Sequence, residues 1–335
     1  MGPFPVTLTR FSIQTQASQP AATGDFSALM AQIGVVGKMI ANDLRRAGLI
    51  NILGTTGTTN VQGEAVKKLD EISNETVVNV FRTSGLVCAL ASEEMEQPVY
   101  VPSGSAGKYM LLFDPLDGSS NTDVNMPLGT IFSILRFEGT GAQPSEADLI
   151  RKGTEQVAAG YLMYGSSTML VYTAGQGVHG FTLDPGVGEY VLSHEQIRMP
   201  SKGKVYAANE GNYHKWPAGT RLYLDHLKGQ DKPTGRPYST RYSGCLVADV
   251  HRILLGGWIY LYPGEVDKPE GKLRLLYEAN PLALIVEQAG GRASTGTMRI
   301  LEVEPKKLHQ RVPLLIGSRD DVGLAEEFVQ GRRTS

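Results

Sequence analysis

Apolar residues recur at three- and four-residue spacing across residues 28–47, with Leu29, Ile33, Val36, Ile40 and Leu44 on one face. That period predicts an amphipathic helix closing on Gly48 after Arg45 and Arg46. Residues 54–63, rich in Thr, Gly and Asn, read as a mobile loop. Helical spacing resumes over 65–83, whereas the unbroken apolar runs 86–91 and 109–113 are short enough to be buried strands. From Thr130 onward the runs 131–135, 158–164, 169–172 and 180–183 are β-rich and separated by Gly, Pro or Asp, as in a sheet. The polar, Pro-bearing stretch 193–204 is the expected boundary between two parts of the chain. Past it the pattern predicts a strand at 204–208, a helix at 246–255, a strand at 257–262, a helix at 283–288 and a last strand at 312–316. Elements alternate rather than segregate, which predicts α/β layers, and no internal repeat points to a solenoid.

The chemistry gathers where apolar runs stop. Phe113-Asp114-Pro115-Leu116-Asp117-Gly118-Ser119-Ser120-Asn121 ends a run in Asp114, turns at Pro115 and brings Asp117 three residues later. Two carboxylates converging at a strand's C-terminal end can hold a hard cation. The Leu116 carbonyl, freed from the ladder by the turn, adds an oxygen of the kind Mg²⁺ takes. Gly118, Ser119 and Ser120 then offer N–H groups and hydroxyls to a phosphate. Asp-Pro and Asp-Gly are also ordinary turn dipeptides, so this stretch alone leaves a plain turn open. Glu93 and Glu94 follow Ser92 at the end of run 86–91, and Glu278 follows Leu275-Leu276-Tyr277. Singly, a solvated loop and a helix-entry residue explain them equally. Gathered, these acids repel one another unless cations sit among them, and two or three Mg²⁺ resolve the conflict. Such a cluster polarises a phosphoryl oxygen, steadies a leaving oxygen and lowers the pKa of a water, which suits phosphoryl transfer.

The cationic half lies further on. Lys272-Leu273-Arg274 alternates, so both cations can face one side and hold phosphate oxygens, although alternating basics equally guard an exposed edge strand. Tyr242, Tyr260 and Tyr262 can clasp a second phosphate through their hydroxyls, or pack in the core.

With 335 residues the chain can form two domains or one large one; its 32 Lys+Arg against 34 Asp+Glu leave a net charge of −2. No global basic field exists to hold nucleic acid or an anionic membrane, so an anionic ligand must be gripped locally. No apolar run approaches the ~18 residues that span a bilayer, and residues 1–16 lack a secretory pattern, so a cytoplasmic protein is expected. Cys88 and Cys245 are too few for a disulfide framework and lack zinc-site spacing; both are expected to be small buried apolar residues. P-loop, dinucleotide and nucleophile-elbow motifs are missing, which argues against a nucleotide motor, a dehydrogenase or a serine hydrolase.

Over nearly its whole length the chain resembles class I fructose-1,6-bisphosphatase, of the lithium-sensitive, Mg²⁺-dependent phosphatase superfamily. Besides residues 113–121, the likeness runs through Lys67-Lys68-Leu69-Asp70, Ser92-Glu93-Glu94, Ala159-Gly160-Tyr161, Asn209-Glu210-Gly211-Asn212-Tyr213, Ala248-Asp249-Val250-His251-Arg252, residues 272–278 and His309-Gln310-Arg311. The resemblance implies a layered α/β/α/β/α sugar-phosphatase fold with two subdomains. Residues 1–200 would be an allosteric domain carrying part of the metal site, and 201–335 a catalytic domain that binds the sugar bisphosphate. It implies hydrolysis of the 1-phosphate of fructose 1,6-bisphosphate to fructose 6-phosphate, a gluconeogenic step. Glu93, Asp114, the Leu116 carbonyl, Asp117 and Glu278 would bind two or three Mg²⁺, with Mn²⁺ or Zn²⁺ as substitutes. Asp70 and Glu94 would help deprotonate the attacking water, and Glu64 would help order the catalytic loop. Asp117, Gly118, Ser119, Ser120 and Arg274 would hold the 1-phosphate end. Asn209, Tyr213, Tyr242 and Tyr262, beside Tyr260, would hold the 6-phosphate, with Arg241 entering from a neighbouring subunit of a homotetramer and Lys272 on the sugar. Thr23, Gly24, Ser27, Lys108, Tyr109 and Arg136 match an inhibitory AMP site. The cysteine-bearing insertion of the redox-regulated plastid form is missing, which argues against thioredoxin control. Two rivals remain: a relative acting on sedoheptulose 1,7-bisphosphate or on both sugars, and a non-catalytic sugar-phosphate or AMP sensor, which has no need of the clustered acids.

Overall fold

The computed structural model describes residues 5–16, 23–59, 65–102, 107–139 and 143–334. The strand Tyr109–Asp117 shows how its layers arise. A strand sends alternate side chains to opposite faces, and here both sets are apolar. Met110 and Leu112 enter one core while Leu111 and Phe113 enter another, so the strand is buried on both faces. It belongs to an eight-stranded sheet ordered Glu189–His194, Val178–Asp184, Thr168–Thr173, Ala158–Tyr164, Leu128–Arg136, Tyr109–Asp117, Val87–Ser92, Val99–Tyr100. Val87–Ser92 and Tyr109–Asp117 pair in parallel, and every other pairing in this sheet is antiparallel.

Helices Leu8–Gln16, Asp25–Arg46 and Lys68–Arg82 cover the outer face through Leu8, Leu29, Ile33, Val36, Ile40, Leu69, Val77 and Phe81. The other face packs on helices Leu246–Gly256 and Asn280–Gln288, which also meet Ala207, Tyr260, Ala293, Leu314 and Ile316 of a second sheet. That sheet runs Ser239–Thr240, Val205–Ala208, Ile259–Tyr262, Leu314–Gly317, Arg292–Ser294. Its far face buries Tyr206, Ala208, Ile259, Leu261 and Leu315 against helices Ala218–Lys228 and Arg319–Val329. The result is the five-layered α/β/α/β/α arrangement. No helix among the described residues is long and apolar enough to cross a membrane.

Local departures from the sequence pattern have identifiable causes. Thr55–Thr59 is a strand paired with Ala65–Lys67, so half of the expected loop and the first turn of the expected helix form a hairpin. β-branched Thr favours the extended backbone. The hairpin is tied down where Asp123 Oδ1 accepts the Gly54 N–H at 3.0 Å and Asp123 Oδ2 pairs with Lys67 Nζ at 2.5 Å. Residues 60–64, including Glu64, lie outside the described residues. The expected boundary at 193–204 overlaps an unpredicted strand, Glu189–His194, in which only Tyr190 is buried, leaving no alternation to read. Helices Leu8–Gln16, Ala218–Lys228 and Arg319–Val329 were likewise not expected from the apolar pattern.

Candidate active site

Parallel pairing sets the C-terminal ends of Val87–Ser92 and Tyr109–Asp117 side by side, with the Glu93 N–H donating to the Phe113 carbonyl at 3.1 Å. Glu93, Glu94 and Asp114 therefore emerge together. Pro115 has no N–H for the ladder, and the register shifts between Asp114 and Asp117. Leu116 N–H turns back onto Asp114 Oδ1 at 3.0 Å, and Thr130 Oγ1 donates to the Pro115 carbonyl at 2.8 Å. Glu278 arrives from the π-helical turn Leu275–Ala279, where its Oε2 accepts the Arg274 N–H at 2.5 Å. Carboxylate oxygens of Glu93, Asp114 and Glu278, all buried, lie within 4.8 Å of one another. Burial, then the charges of Glu93, Asp117 and Glu278, hold the Asp114 carboxyl well above its ordinary value. Three buried carboxylates with only oxygen donors fit a hard divalent cation and offer nothing to a thiophilic one.

Asp117 is turned elsewhere. Its Oδ2 accepts the Val247 N–H at 2.6 Å and the Cys245 thiol at 3.0 Å, at the start of helix Leu246–Gly256. Its charge still raises the proton affinity of Asp114, so it lies within electrostatic reach of the trio. Gly118, φ +79°, follows at a point where a Cβ would stand 2.7 Å from the Cys245 Cβ; only glycine lets the two segments touch. Ser119 and Ser120 open the 3₁₀ turn Ser119–Val124 beyond it. Cys245 is therefore more than apolar filler: it stands at the helix N-cap, and its sulfur also accepts the Ala248 N–H at 3.4 Å. The signal was its place just before a helix start, where capping groups sit.

Lys272 and Arg274 also part company. Leu273 and Arg274 are both buried where they pair with Arg311–Val312, so this is no exposed edge. Arg274 is 3% exposed, and its Nη2 lies 3.0 Å from Glu93 Oε1, among the acids. Lys272 instead lines a cavity of about 430 Å³ with Asn209, Tyr262, Lys215, Lys268 and Arg311. The last three were not singled out from the sequence, Arg311 appearing there only within a matched segment. Tyr242, Tyr260 and Tyr262 form a stack with centroids 6.5 and 6.2 Å apart, but Tyr260 is 2% exposed and sits in the core. Tyr213 donates its hydroxyl to Asp225 at 2.7 Å and is not among the cavity residues. Arg241 is exposed and donates to the Thr240 carbonyl at 2.7 Å.

Asp70 lies in the first turn of helix Lys68–Arg82, where its Oδ2 accepts the Lys67 N–H at 2.9 Å. Burial pushes its carboxyl up to about 7, opposed by the Lys67 N–H and assisted by the charge of Glu94. Asp249, also buried, is pushed up to about 6 chiefly by burial. Because these folded values exceed the ordinary 3.8, the folded chain binds more protons than the unfolded one between them. Without divalent cation Asp70 and Asp249 therefore lose stability as pH rises from about 4 towards 7, up to ~4 kcal/mol for Asp70 alone, while His251, which burial pushes down from 6.5 to about 4, gains stability over the same window. Asp70→Asn should remove the Asp70 loss from the parent's pH profile. Magnesium favours the charged carboxylates and should raise the melting temperature most at the high end; calorimetry at pH 5 and 7.5, with chelator or magnesium, checks this.

A second cavity, about 380 Å³, lies at the start of helix Asp25–Arg46 and is lined by Thr23, Gly24, Ser27, Lys108, Tyr109 and Arg136, all six of the residues matched to a nucleotide site. Antiparallel pairing places Tyr109 opposite Arg136. Within it Lys108 Nζ pairs with Asp25 at 2.6 Å, Ser27 Oγ donates to Gln16 at 2.6 Å, and Tyr109 meets Phe26 edge-on at 6.2 Å.

Comparison with known proteins agrees with this geometry. Residues 6–195 match the family model for the fructose-1-6-bisphosphatase N-terminal domain, and residues 199–330 that for its C-terminal domain. Class 1 fructose-1,6-bisphosphatases of Trichormus variabilis and Chlorobium phaeobacteroides are each 53% identical, over 97% and 98% of this chain and 92% and 99% of theirs. The crystal structure of Leishmania major fructose-1,6-bisphosphatase in holo form superposes with a TM-score of 0.92 at 46% identity, covering 98% of this chain and 100% of that one. Buried acids at paired strand ends, a cationic cavity beside them and full-length likeness in sequence and fold lead to one conclusion: the chain belongs to the class 1 fructose-1,6-bisphosphatase family.

Proposed function

We propose that this chain hydrolyses the 1-phosphate of D-fructose 1,6-bisphosphate, releasing fructose 6-phosphate and phosphate, and that AMP inhibits it. The observation that carries the reading is the continuity of one short segment: Lys272, in the bend just before strand Leu273–Arg274, faces the 430 Å³ cavity while Arg274, two residues on, touches Glu93 among the acids. A sugar with phosphates at both ends spans such a site. Lys215, Lys268, Lys272 and Arg311 neutralise the 6-phosphate and sugar end and Asn209 and Tyr262 donate to it, while the exposed Tyr242, stacked on Tyr260, offers a further hydroxyl. Gly118, Ser119, Ser120 and Arg274 hold the 1-phosphate. Glu93, Asp114, Glu278, Asp117 and the Leu116 carbonyl would hold two or three Mg²⁺, which when bound supply Lewis-acid polarisation of the phosphoryl oxygens and of the leaving group. Asp70, with its carboxyl near 7, is poised to accept a proton from the attacking water at neutral pH, with the Glu94 charge favouring the transfer.

The 380 Å³ cavity suits AMP: a phosphate at the start of helix Asp25–Arg46 would take Lys108 from Asp25, with Arg136 as a second cation. Residues 1–200 then form the allosteric part and 201–335 the sugar-binding part. In a homotetramer the exposed Arg241 reaches a neighbour's 6-phosphate pocket. Both cysteines are buried and unpaired, in keeping with a reducing cytoplasm.

The test is phosphate release from fructose 1,6-bisphosphate with and without Mg²⁺, and with and without AMP. Metal-dependent release suppressed by AMP is expected. Release indifferent to AMP would return the six cavity residues to structural roles, and faster release from sedoheptulose 1,7-bisphosphate would change the substrate.

A further inference from the structure

Ser243 stands between the two ends of the site, with Tyr242 before it and Cys245 two residues after. Its backbone is gripped from both sides. Asn121 Nδ2, just past Ser120, donates to the Ser243 carbonyl at 3.1 Å and also to the Pro127 carbonyl at 3.1 Å. Asp249 Oδ2, one turn into the helix Leu246–Gly256, accepts the Ser243 N–H at 3.0 Å. Asp249 is 1% exposed, and its Oδ1 has no hydrogen-bond partner among the described residues. A carboxylate so placed is costly, the more so beside Asp117. Capping the helix does not require it, because Cys245 already takes the Ala248 N–H. What Asp249 does secure is the turn.

We infer that Asp249 is a positioning residue: by holding the Ser243 N–H it fixes the turn 242–245, so that Tyr242 meets one phosphate end while Cys245 orients Asp117 at the other. Asn121 completes the clamp from the acid-bearing segment. The inference rests on the reading of the two ends given above. It explains why one buried acid outside the metal-holding set lies between both.

Asp249→Ala and Asp249→Asn separate the possibilities, since asparagine keeps an acceptor oxygen for the Ser243 N–H and alanine does not. In Asp249→Ala, KM for fructose 1,6-bisphosphate should rise and kcat fall, each by about tenfold. Asp249→Asn should stay within about threefold of the parent. A second readout needs no substrate: iodoacetamide labelling mapped by mass spectrometry. Cys245 and Cys88 are 0% and 2% exposed, so release of the turn exposes Cys245 alone, whereas global loosening exposes both. Selective labelling of Cys245 in Asp249→Ala, absent in Asp249→Asn, is expected. If Asp249→Ala does not fold, Asn121→Asp, which keeps the shape and removes the amide donor, should give the same selective labelling. Unchanged kinetics and labelling, or equal labelling of both cysteines, would overturn the clamp. A parent chain inactive on fructose 1,6-bisphosphate would refute the substrate reading while the labelling pattern still decides on the clamp.

Discussion

Asp117→Ala should lower kcat for fructose 1,6-bisphosphate about 10³-fold at saturating magnesium. The residue does two things at once. Its charge adds to the field that Glu93, Asp114 and Glu278 present to cations, and its Oδ2 receives the Val247 N–H and the Cys245 thiol. Losing the first removes several kcal/mol of stabilisation at the reacting phosphate, and ~4 kcal/mol is about a thousandfold in rate. Losing the second leaves the start of helix Leu246–Gly256 with unsatisfied donors in a buried place. Asp117→Asn separates them, because it keeps an acceptor for Val247 while removing the charge. Its melting temperature should stay near the parent's and its kcat near that of Asp117→Ala. Phosphate release and thermal unfolding of both variants decide the matter; a fast Asp117→Asn enzyme would remove Asp117 from the charged machinery.

How far the site could be read in advance depended on whether its signals were local. Asp114, Glu93 and Glu278 each follow an apolar run, so their place at element ends showed in the chain itself. Pro115 likewise announced the break in the ladder that the structure has between Asp114 and Asp117. Contacts across long separations were not legible. Alternation set Lys272 and Arg274 on one side of a strand but could not tell that a buried carboxylate waited for one of them and an open cavity for the other. Cys245 meets Asp117 from 128 residues away and Asn121 meets Ser243 from 122, and nothing in spacing or composition marks either pair. Tyr260 and Tyr262 share a strand and a type, and only the packing of helix on sheet decided which was core. The layers themselves were legible as alternation of helix and strand; their number followed from the resemblance, because counting cores requires knowing which faces meet.

Arg274→Met should destabilise the protein by ~3–5 kcal/mol in the presence of chelator, the usual consequence of stranding one member of a buried ion pair. Arg274 and Glu93 are nearly as enclosed as core residues, with side-chain exposures of 4% and 10% and 3.0 Å between them. Methionine fills much of the space but leaves the Glu93 charge beside Asp114 and Glu278 with its arginine gone. Magnesium offers those acids another cation, so the loss should be smaller when it saturates the site. Adding Glu93→Gln should recover most of the stability lost by Arg274→Met, since neither charge then remains, while activity stays low because an acid and a phosphate anchor are both missing. Urea unfolding of the parent, the single and the double variants, each with chelator and with magnesium, measures the coupling. Additive losses would mean that the guanidinium serves the phosphate alone. A large coupling that magnesium shrinks would mean that Arg274 balances the same acids that gather the cations, and that one side chain serves stability and phosphate binding together.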